Sequence, residues 1–280
     1  TNSERVWNFV NRFAEFLPYI HRVKANHAGR LYSFPPNRET FRQLGIEPDA
    51  PEAESIIRRA FFEGYTAKQW GKPIEEVPSE VLARIPIRNN ADDRYFTDTY
   101  QGLPADGYTA MITAMLDGVE VQTGVDYLSD EEYWNTQAEQ VIYTGALDEF
   151  YRYDAGRLEY RSLTFDTMRV NAKQFQGAAT VNFCDADVPY TRIMDWGWFW
   201  PRDVAHTVIT AEYPADNGEP YYPVNDAANN ALHAQYHARA NKANWLHIGG
   251  RLGSYRYWNM DQAIGAAMRM VEKLLEREAV

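Results

Sequence analysis

Near the N-terminus, apolar residues recur every three or four positions, as they do on the buried face of an amphipathic helix. These residues are Val6, Phe9, Val10, Phe13 and Phe16. Ser3 stands where a helix N-cap is favoured, and Pro18 follows at a position where a helix must end. The pattern therefore predicts one helix between Ser3 and Pro18 that packs on a single apolar face.

The pattern then changes to a period of two residues, which is typical of a β-strand. Tyr19, His21 and Val23 fall on one side, the turn-forming stretch NHAG follows, and a second run reads RLYSF. These features predict a hairpin within residues 19–34. Two helical stretches come next, RETFRQL and PEAESIIRRAFFEGYTAKQW, separated from their surroundings by paired prolines and by EPDAP.

Helical and extended patterns alternate through the rest of the chain. Helices are predicted at 107–118, near 226–241 and after residue 259, where the apolar stripe consists of Met260, Ile264, Met268, Val271 and Leu275. Strands are predicted at VEVQTGV, EQVIYTG, ATVNFCD, AHTVITAEY and NWLHIGG. Asn259 is the expected N-cap of the last helix, with the side chain of Gln262 reaching back to it. The alternation predicts a mixed α/β fold.

Composition narrows the classes of function. The 280 residues carry a formal charge of -11, which disfavours a nucleic-acid surface but leaves a small anionic ligand possible. Cys184 has no second cysteine to pair with, and no segment resembles a signal peptide or reaches the length of a membrane span. We therefore expect a cytoplasmic protein that neither binds nucleic acid nor inserts into a membrane. His233 and His237 lack the glutamate and third ligand of a zinc site, so no metal is expected.

Arginines alternate with tyrosines in segments predicted to be loops or strand ends. They are Arg84, Arg88, Tyr95, Tyr100, Tyr190, Arg192, Tyr221, Tyr222, Arg251, Tyr255 and Tyr257. Guanidinium groups bind diphosphates through two parallel hydrogen bonds, and phenol hydroxyls add neutral donors, so the set suits a nucleotide sugar. The alternative is that each arginine pairs with a surface carboxylate.

Phosphate-binding glycine motifs are absent from the sequence. There is no G-x-G-x-x-G and no G-x-x-x-x-G-K, and GGRLG at residues 249–253 is the nearest match. Gly249 and Gly250 have a second interpretation, in which they only allow a strand to pack closely on a helix. The glycines alone therefore do not decide whether the turn meets a cofactor.

Several stretches, in this order, resemble the bacterial UDP-galactopyranose mutases. They are GYTAKQWG, RIPIRNNADDRYFTDTYQGLPADGYT, LEYRSL, DADVPYTRI, EPYYPVND and GGRLGSYRYWNMDQ. The resemblance implies interconversion of UDP-galactopyranose and UDP-galactofuranose by reduced FAD, whose central-ring nitrogen expels UDP and holds the sugar as a covalent adduct. It also implies a possible homodimer and a role in making galactofuranose for cell-wall and surface polysaccharides.

Residue roles follow from the matching motifs. The resemblance implies that Arg84 and Arg192 bind the diphosphate and stabilise departing UDP, with Arg84 on a mobile loop. The implied substrate-binding residues are Phe61, Tyr65, Thr66, Trp70, Tyr95, Tyr222 and Tyr257. Gly250, Arg251 and Asn259 match the segment that returns to the flavin, although the family typically has an aspartate where this chain has Asn259.

The resemblance also implies a domain plan. Residues 1–35 begin a sheet domain, 36–76 form a shortened helical domain, 77–244 form an antiparallel sheet domain that binds substrate with a mobile loop near 77–90, and 245–280 return to the FAD domain. The Rossmann-like part that carries the flavin fingerprint matches nothing in this sequence. A flavin-free remnant that binds UDP-sugars without turnover is therefore the alternative, and a flavin oxidoreductase is a third. The stretch DWGWFW departs from the family and is interpreted as an exposed contact patch.

Overall fold

The computed structural model describes residues 1–77, 85–200 and 204–278, and the chain divides into two compact units. The first unit contains Thr1–Glu15, Asp106–Tyr160 and Pro220–Val280, and the second contains Phe16–Ala105 and Arg161–Glu219. Each unit is therefore assembled from segments that are distant in sequence. The four-part domain plan made from the sequence stays a prediction.

Strands supply the framework of the second unit. In chain order, the strands of the described residues are β1 (Phe16–Pro18), β2 (Val23–His27), β3 (Arg30–Phe34), β4 (Gly102–Pro104), β5 (Val141–Tyr143), β6 (Tyr160–Val170), β7 (Thr180–Phe183), β8 (Arg192–Asp195), β9 (Thr207–Ala215), β10 (Tyr222–Pro223) and β11 (Leu246–Ile248). In the second unit the order is β6-β9-β8-β7-β2-β3. Neighbours are antiparallel except β2 and β7, which run parallel. The sequence predicted neither β6 nor β8.

The two longest helices of the described residues lie in the first unit. In chain order, the helices of these residues are α1 (Glu4–Val10), α2 (Arg38–Leu44), α3 (Ala53–Arg58), α4 (Gly64–Trp70), α5 (Gly107–Met115), α6 (Glu131–Gln137), α7 (Leu147–Phe150), α8 (Ala227–Ala240), α9 (Gly250–Gly253) and α10 (Met260–Glu278). Single turns lie at Ile74–Glu76, Tyr127–Ser129 and Trp196–Trp198, and a π-helical turn lies at Arg59–Glu63. The predicted mixed α/β class is confirmed.

The start of the first predicted helix is confirmed, and its end is wrong. The Ser3 side chain accepts a hydrogen bond from Val6 N–H, as expected of an N-cap, but the helix ends at Val10. Phe16 was predicted on the helix and instead begins β1, which pairs with β4 and brings Leu103 into the interior. The hydrophobic pattern indicates which residues are buried but not which partner buries them. Here pairing with a strand that is distant in sequence determines the structure of Phe16, although the local spacing is helical.

The predicted hairpin is confirmed, whereas the predicted strand at 119–125 is wrong. Val23 pairs with Phe34, and the chain turns through Ala28 and Gly29 with φ of 51° and 72°. Residues 119–125 form no strand, and their alternating valines are exposed because no neighbouring strand covers them. Alternation alone therefore did not distinguish a paired strand from an irregular segment.

A small hydrophobic core joins the hairpin to the helical segment of the second unit. Asn37 begins α2 with a reciprocal cap, because its side chain accepts from Thr40 N–H while the Thr40 hydroxyl accepts from Asn37 N–H. Phe61, only 1% exposed, lies in the π-helical turn with its ring 5.3 Å from that of Tyr32. This core fixes the start of α4, which follows the turn directly.

The first unit is organised around β5 and β11, which run parallel, and around α8. Leu147 and Tyr236 are fully buried in its core, and the Tyr236 hydroxyl donates 2.7 Å to the carbonyl of Gly156. In the part of the chain that the structure describes, none of the helices combines the length and apolarity that crossing a bilayer requires.

Candidate functional site

Helix α4 carries the residues expected to surround the nucleotide base. Thr66 and Trp70 are buried, Tyr65 is half-buried, and Phe61 precedes them within the hydrophobic core. Gly71 ends the helix with φ of 64°, and a Cβ there would meet Arg161 Nη1 at 2.9 Å. Tyr65, Thr66 and Trp70 are thus brought together on one short helix, with Phe61 in the π-helical turn that precedes it.

The guanidinium of Arg161 holds the C-terminal end of this helix. Its Nε donates 2.9 Å to the carbonyl of Gln69, and its Nη2 donates 3.4 Å to the carbonyl of Lys68. Asp216 pairs with the same guanidinium. The last carbonyls of a helix lack partners within the helix, so a buried cation at this point satisfies them and complements the helix dipole.

Arg192 begins β8 and is fixed on one side by a buried carboxylate. Its Nε donates 2.7 Å to Oε2 of Glu212, which lies opposite it in β9. Half-burial leaves Arg192 in contact with solvent. An arginine held in this way keeps a fixed direction.

His21, which the sequence analysis did not assign to the site, lies beside Arg192 and Tyr95. Its ring stands edge-on to Tyr95 at 5.7 Å and stacks on Phe199 at 5.6 Å. Burial and the positive charge of Arg192 lower the pKa of His21 to about 4. The imidazole is therefore neutral at physiological pH. Its position on one face of the alternating run with Val23 was the available signal, but alternation does not identify a neighbouring charge.

His21 shares a hydrogen bond with its neighbour Tyr19. Burial raises the pKa of Tyr19 to about 12, so its hydroxyl keeps the proton, and 3.0 Å separates that hydroxyl from His21 Nδ1. A protonated hydroxyl can both donate and accept, so either neutral tautomer of His21 makes this bond. The contact therefore helps to hold the imidazole ring in place beside Arg192.

In the first unit, three of the predicted residues meet in one cluster. The guanidinium carbon of Arg251 lies 5.1 Å from the ring centroid of Tyr222 and 4.7 Å from that of Tyr257, and the two rings are 5.2 Å apart. Cation–π contacts hold the guanidinium between the rings. One cation with two phenol hydroxyls is the donor set that suits a diphosphate, which both UDP and FAD contain.

The glycines of the GGRLG turn pack against the chain itself. Gly250 has φ of 70°, and a Cβ on it would lie 2.8 Å from the Cβ of Thr144. A Cβ on Gly253 would similarly approach the carbonyls of Gly145 and Tyr143 at 3.3 Å. Close packing of this turn on β5 is therefore the interpretation that the structure supports. For FAD, the Arg251 cluster fits the diphosphate, whereas the glycines form no open phosphate cradle.

Asn259 lies at the start of α10, as expected. Its backbone N–H donates 2.9 Å to Oε1 of Gln262, which confirms that Gln262 reaches back. This contact stabilises the first turn of the helix. A role for Asn259 in cofactor binding stays a prediction.

Arg84 lies outside the described residues, as does half of the predicted mobile loop, whose residues 78–84 are not described. Arg88, on the described side of that loop, donates from Nη1 to the carbonyls of Asp92 and Arg94 at 2.9 and 2.6 Å. Arg88 therefore organises its own loop, and its pairing with the carboxylate of Asp92 at 4.0 Å agrees with the alternative interpretation, in which an arginine pairs with a carboxylate.

The tryptophan-rich stretch is anchored to the second unit through its polar edges. The indole N–H of Trp196 donates to the hydroxyl of Thr210, that of Trp198 to the carbonyl of Gln176 and that of Trp200 to the carbonyl of Pro104. Trp196 is nevertheless 38% exposed, and the other two are partly buried. The interpretation of this stretch as an exposed contact patch stays a prediction.

Comparison with known proteins adds the context of a family. A family model of UDP-galactopyranose mutase matches residues 60–257. The chain is 36% identical, over 312 positions covering 100% of this chain and 80% of the relative, to a probable UDP-galactopyranose mutase of Klebsiella pneumoniae. It is 34% identical, over 308 positions covering 97% and 82%, to a dTDP-fucopyranose mutase of Escherichia coli. A crystal structure of reduced UDP-galactopyranose mutase shares its fold with a TM-score of 0.66, covering 97% of this chain and 80% of that one at 13% identity.

Proposed function

Because the chain belongs to the UDP-galactopyranose mutase family, we propose that it interconverts UDP-galactopyranose and UDP-galactofuranose. The observation that carries the proposal is the family match over residues 60–257, which includes α4 and the strand that begins at Arg192. The enzyme class is accordingly an isomerase. Cytoplasmic location, homodimer formation and a role in surface polysaccharides stay predictions.

The proposed task of the second unit is to hold the nucleotide while the bond to the sugar breaks and re-forms. We assign Tyr65, Thr66 and Trp70 on α4 to the nucleotide, with Phe61 supporting them from the core. Arg192 takes the diphosphate, and its positive charge stabilises UDP as a leaving group. Tyr95 and Arg84 have the same proposed task. Fixing the departing group keeps it close to the sugar, which accelerates the return step in which the bond between the two re-forms.

In the first unit, we assign Tyr222, Tyr257 and Arg251 to an anionic diphosphate. The cation and phenol donors support this assignment because they match phosphate oxygens in charge and in hydrogen-bonding capacity. Reduced FAD, when bound, supplies the nucleophile that holds the sugar during ring exchange. Gly250 and Asn259 are proposed to lie on the cofactor side, with Gly250 shaping the backbone turn that presents Arg251.

The preferred nucleotide and sugar of the substrate must be determined by comparing two nucleotide sugars directly. The identities to a UDP-galactopyranose mutase and to a dTDP-fucopyranose mutase are close, at 36% and 34%. The uracil and thymine bases differ by one methyl group, for which a hydrophobic pocket discriminates by roughly 10- to 200-fold. The assay therefore includes both nucleotide sugars at equal concentration.

The test is conversion of UDP-galactofuranose to UDP-galactopyranose by the 280-residue chain with FAD and dithionite, followed by chromatography. The matched control is Arg192→Met, which keeps a side chain of similar length and removes the charge. We expect turnover by the native chain and loss of most of it in the variant. Equal rates in the two proteins would refute the role of Arg192, and conversion of dTDP-fucose alone would replace the proposed substrate.

A second candidate is binding of UDP-sugars without turnover. It is favoured by the glycines at 249–253, which pack on β5 rather than forming a phosphate cradle. Calorimetric titration with UDP separates the two candidates. Binding of UDP with no conversion in the presence of reduced FAD supports the second candidate, and a folded chain that does neither refutes both.

A further inference from the structure

The ammonium group of Lys68 is surrounded by backbone carbonyls of a loop that is distant in sequence. Its Nζ donates to the carbonyl oxygens of Phe183, Val188 and Tyr190 at 2.8, 2.9 and 3.1 Å. An ammonium has three N–H donors and no acceptor, so these contacts use all of its hydrogen-bonding capacity. We call Lys68 and these three carbonyls the Lys68 clamp.

The clamped loop connects β7 to β8 and spans residues 184–191. A Cβ on Gly64, at the start of α4, would collide with the carbonyl oxygen of Cys184, so only glycine allows the helix this close to the loop. Asp185 binds the other side through His27 Nδ1 at 2.5 Å and Ala28 N–H at 2.7 Å. The loop is therefore held against the helix at several points, with Lys68 at the centre of α4.

The position of Lys68 links two groups of proposed site residues. It lies on α4 between Thr66 and Trp70, and its partner loop ends where Arg192 begins β8. We propose that Lys68 is a positioning residue that fixes the 184–191 loop, and with it Arg192, relative to the nucleotide-binding face of α4. This inference rests on the proposed function, because it specifies how two parts of that site are kept in register.

The chemistry of the clamp favours lysine over arginine. Burial lowers the pKa of Lys68, while the neighbouring Cys184 and the carboxylates of Asp185 and Asp187 oppose that shift. A compact ammonium can donate to carbonyls arranged around a point, whereas the planar guanidinium donates only within its plane. Lys68→Arg therefore keeps the charge but cannot reproduce the three contacts.

The test compares Lys68→Met and Lys68→Arg with Lys242→Met, which removes an exposed lysine and serves as the matched control. Hydrogen exchange of the free chain measures whether the 184–191 loop is released, and calorimetry measures affinity for UDP. We expect faster exchange in the loop and roughly 10- to 100-fold weaker UDP binding in Lys68→Met, the range that corresponds to loss of about one charge-assisted hydrogen bond to the diphosphate. Lys68→Arg should recover little of this affinity, and Lys242→Met should match the native chain.

Each other outcome has a separate meaning. Unchanged exchange in Lys68→Met overturns the clamp itself. Faster exchange with native UDP affinity overturns the positioning role and leaves the proposed function standing. A native chain that folds but binds no UDP refutes the proposed function and the positioning role together, while the exchange data still report on the clamp. A purely structural effect would lower stability without weakening UDP binding in the chains that remain folded.

Discussion

Replacing His21 by phenylalanine should make the protein less sensitive to acid. The folded-state pKa of His21 is lowered from 6.5 to about 4, mainly by burial and secondly by Arg192. Above pH 6.5 the imidazole is neutral in both the folded and the unfolded chain, so it contributes nothing to the pH dependence. Below pH 6.5, His21 is protonated in the unfolded chain but stays neutral in the folded chain. The free energy of unfolding therefore falls as the pH is lowered, until the pH approaches 4.

The magnitude follows from the difference between the two pKa values. One pKa unit corresponds to about 1.4 kcal/mol. The shift of His21 therefore lowers the free energy of unfolding by about 3 kcal/mol at a pH below both pKa values, and by about 2.5 kcal/mol at pH 4.5. The phenylalanine ring preserves the stacking on Phe96 and Phe199 and removes the titration. The loss of unfolding free energy between pH 7.5 and pH 4.5 should therefore be smaller in His21→Phe by about 2.5 kcal/mol.

Urea denaturation at the two pH values, followed by circular dichroism, gives this difference directly. Other titrating groups are common to both proteins, so comparing the two pH-dependent losses isolates His21. Arg192→Met provides an internal check, because removing the second cause should raise the pKa of His21 only part of the way towards 6.5. The reasoning is refuted if the imidazole titrates near pH 6.5 in the folded chain by NMR, or if both proteins lose the same stability.

Further predictions concern α4 and its surroundings. Gly71→Ala should destabilise the chain by more than the roughly 1 kcal/mol expected for alanine at an αL position, because its Cβ would approach Arg161. Gly45→Ala is the matched control: its φ of 70° is similar but the space around it is open, so it should cost only that amount. Equal shifts in the melting temperature of the two variants would contradict this prediction. Arg161→Lys should lower the unfolding free energy by about 2 kcal/mol through loss of the charged hydrogen bond to Gln69, and native stability in urea would contradict it. Burial raises the pKa of Cys184 to about 12, so a thiol reagent should label it only on unfolding; rapid labelling of the folded chain would show that the thiol is accessible.

Local patterns predicted the elements whose signals are complete within a few residues. The Ser3 cap and the hairpin through Gly29 required only side chains and turns that are adjacent in sequence. Strand β6 was missed because its outer half is exposed on both faces and therefore shows no alternation. Its place in the sheet comes from pairing with β9 along nine residue pairs, which a local pattern does not record.

In the candidate site, too, the sequence predicted the residues that belong to local motifs and missed those defined by distant partners. The motifs identified Tyr222, Tyr257 and Arg251, and the structure brings these residues together in one cluster. His21 and Lys68 escaped notice because what distinguishes them is a distant partner: the charge of Arg192 in one case and loop carbonyls in the other. Residue type and spacing cannot identify a lysine whose partners are backbone atoms more than a hundred positions away.

The division of the chain into interleaved segments affects how the protein is made. Strand β2 pairs with β7 through Val23 and Thr180, and the second unit also needs residues up to Glu219. The first unit begins at Thr1 but needs the segment that starts at Pro220. During synthesis, neither unit can complete its core before the segments around Glu219 and Pro220 have been translated. Folding should consequently be slow, since contacts between residues distant in sequence must form late.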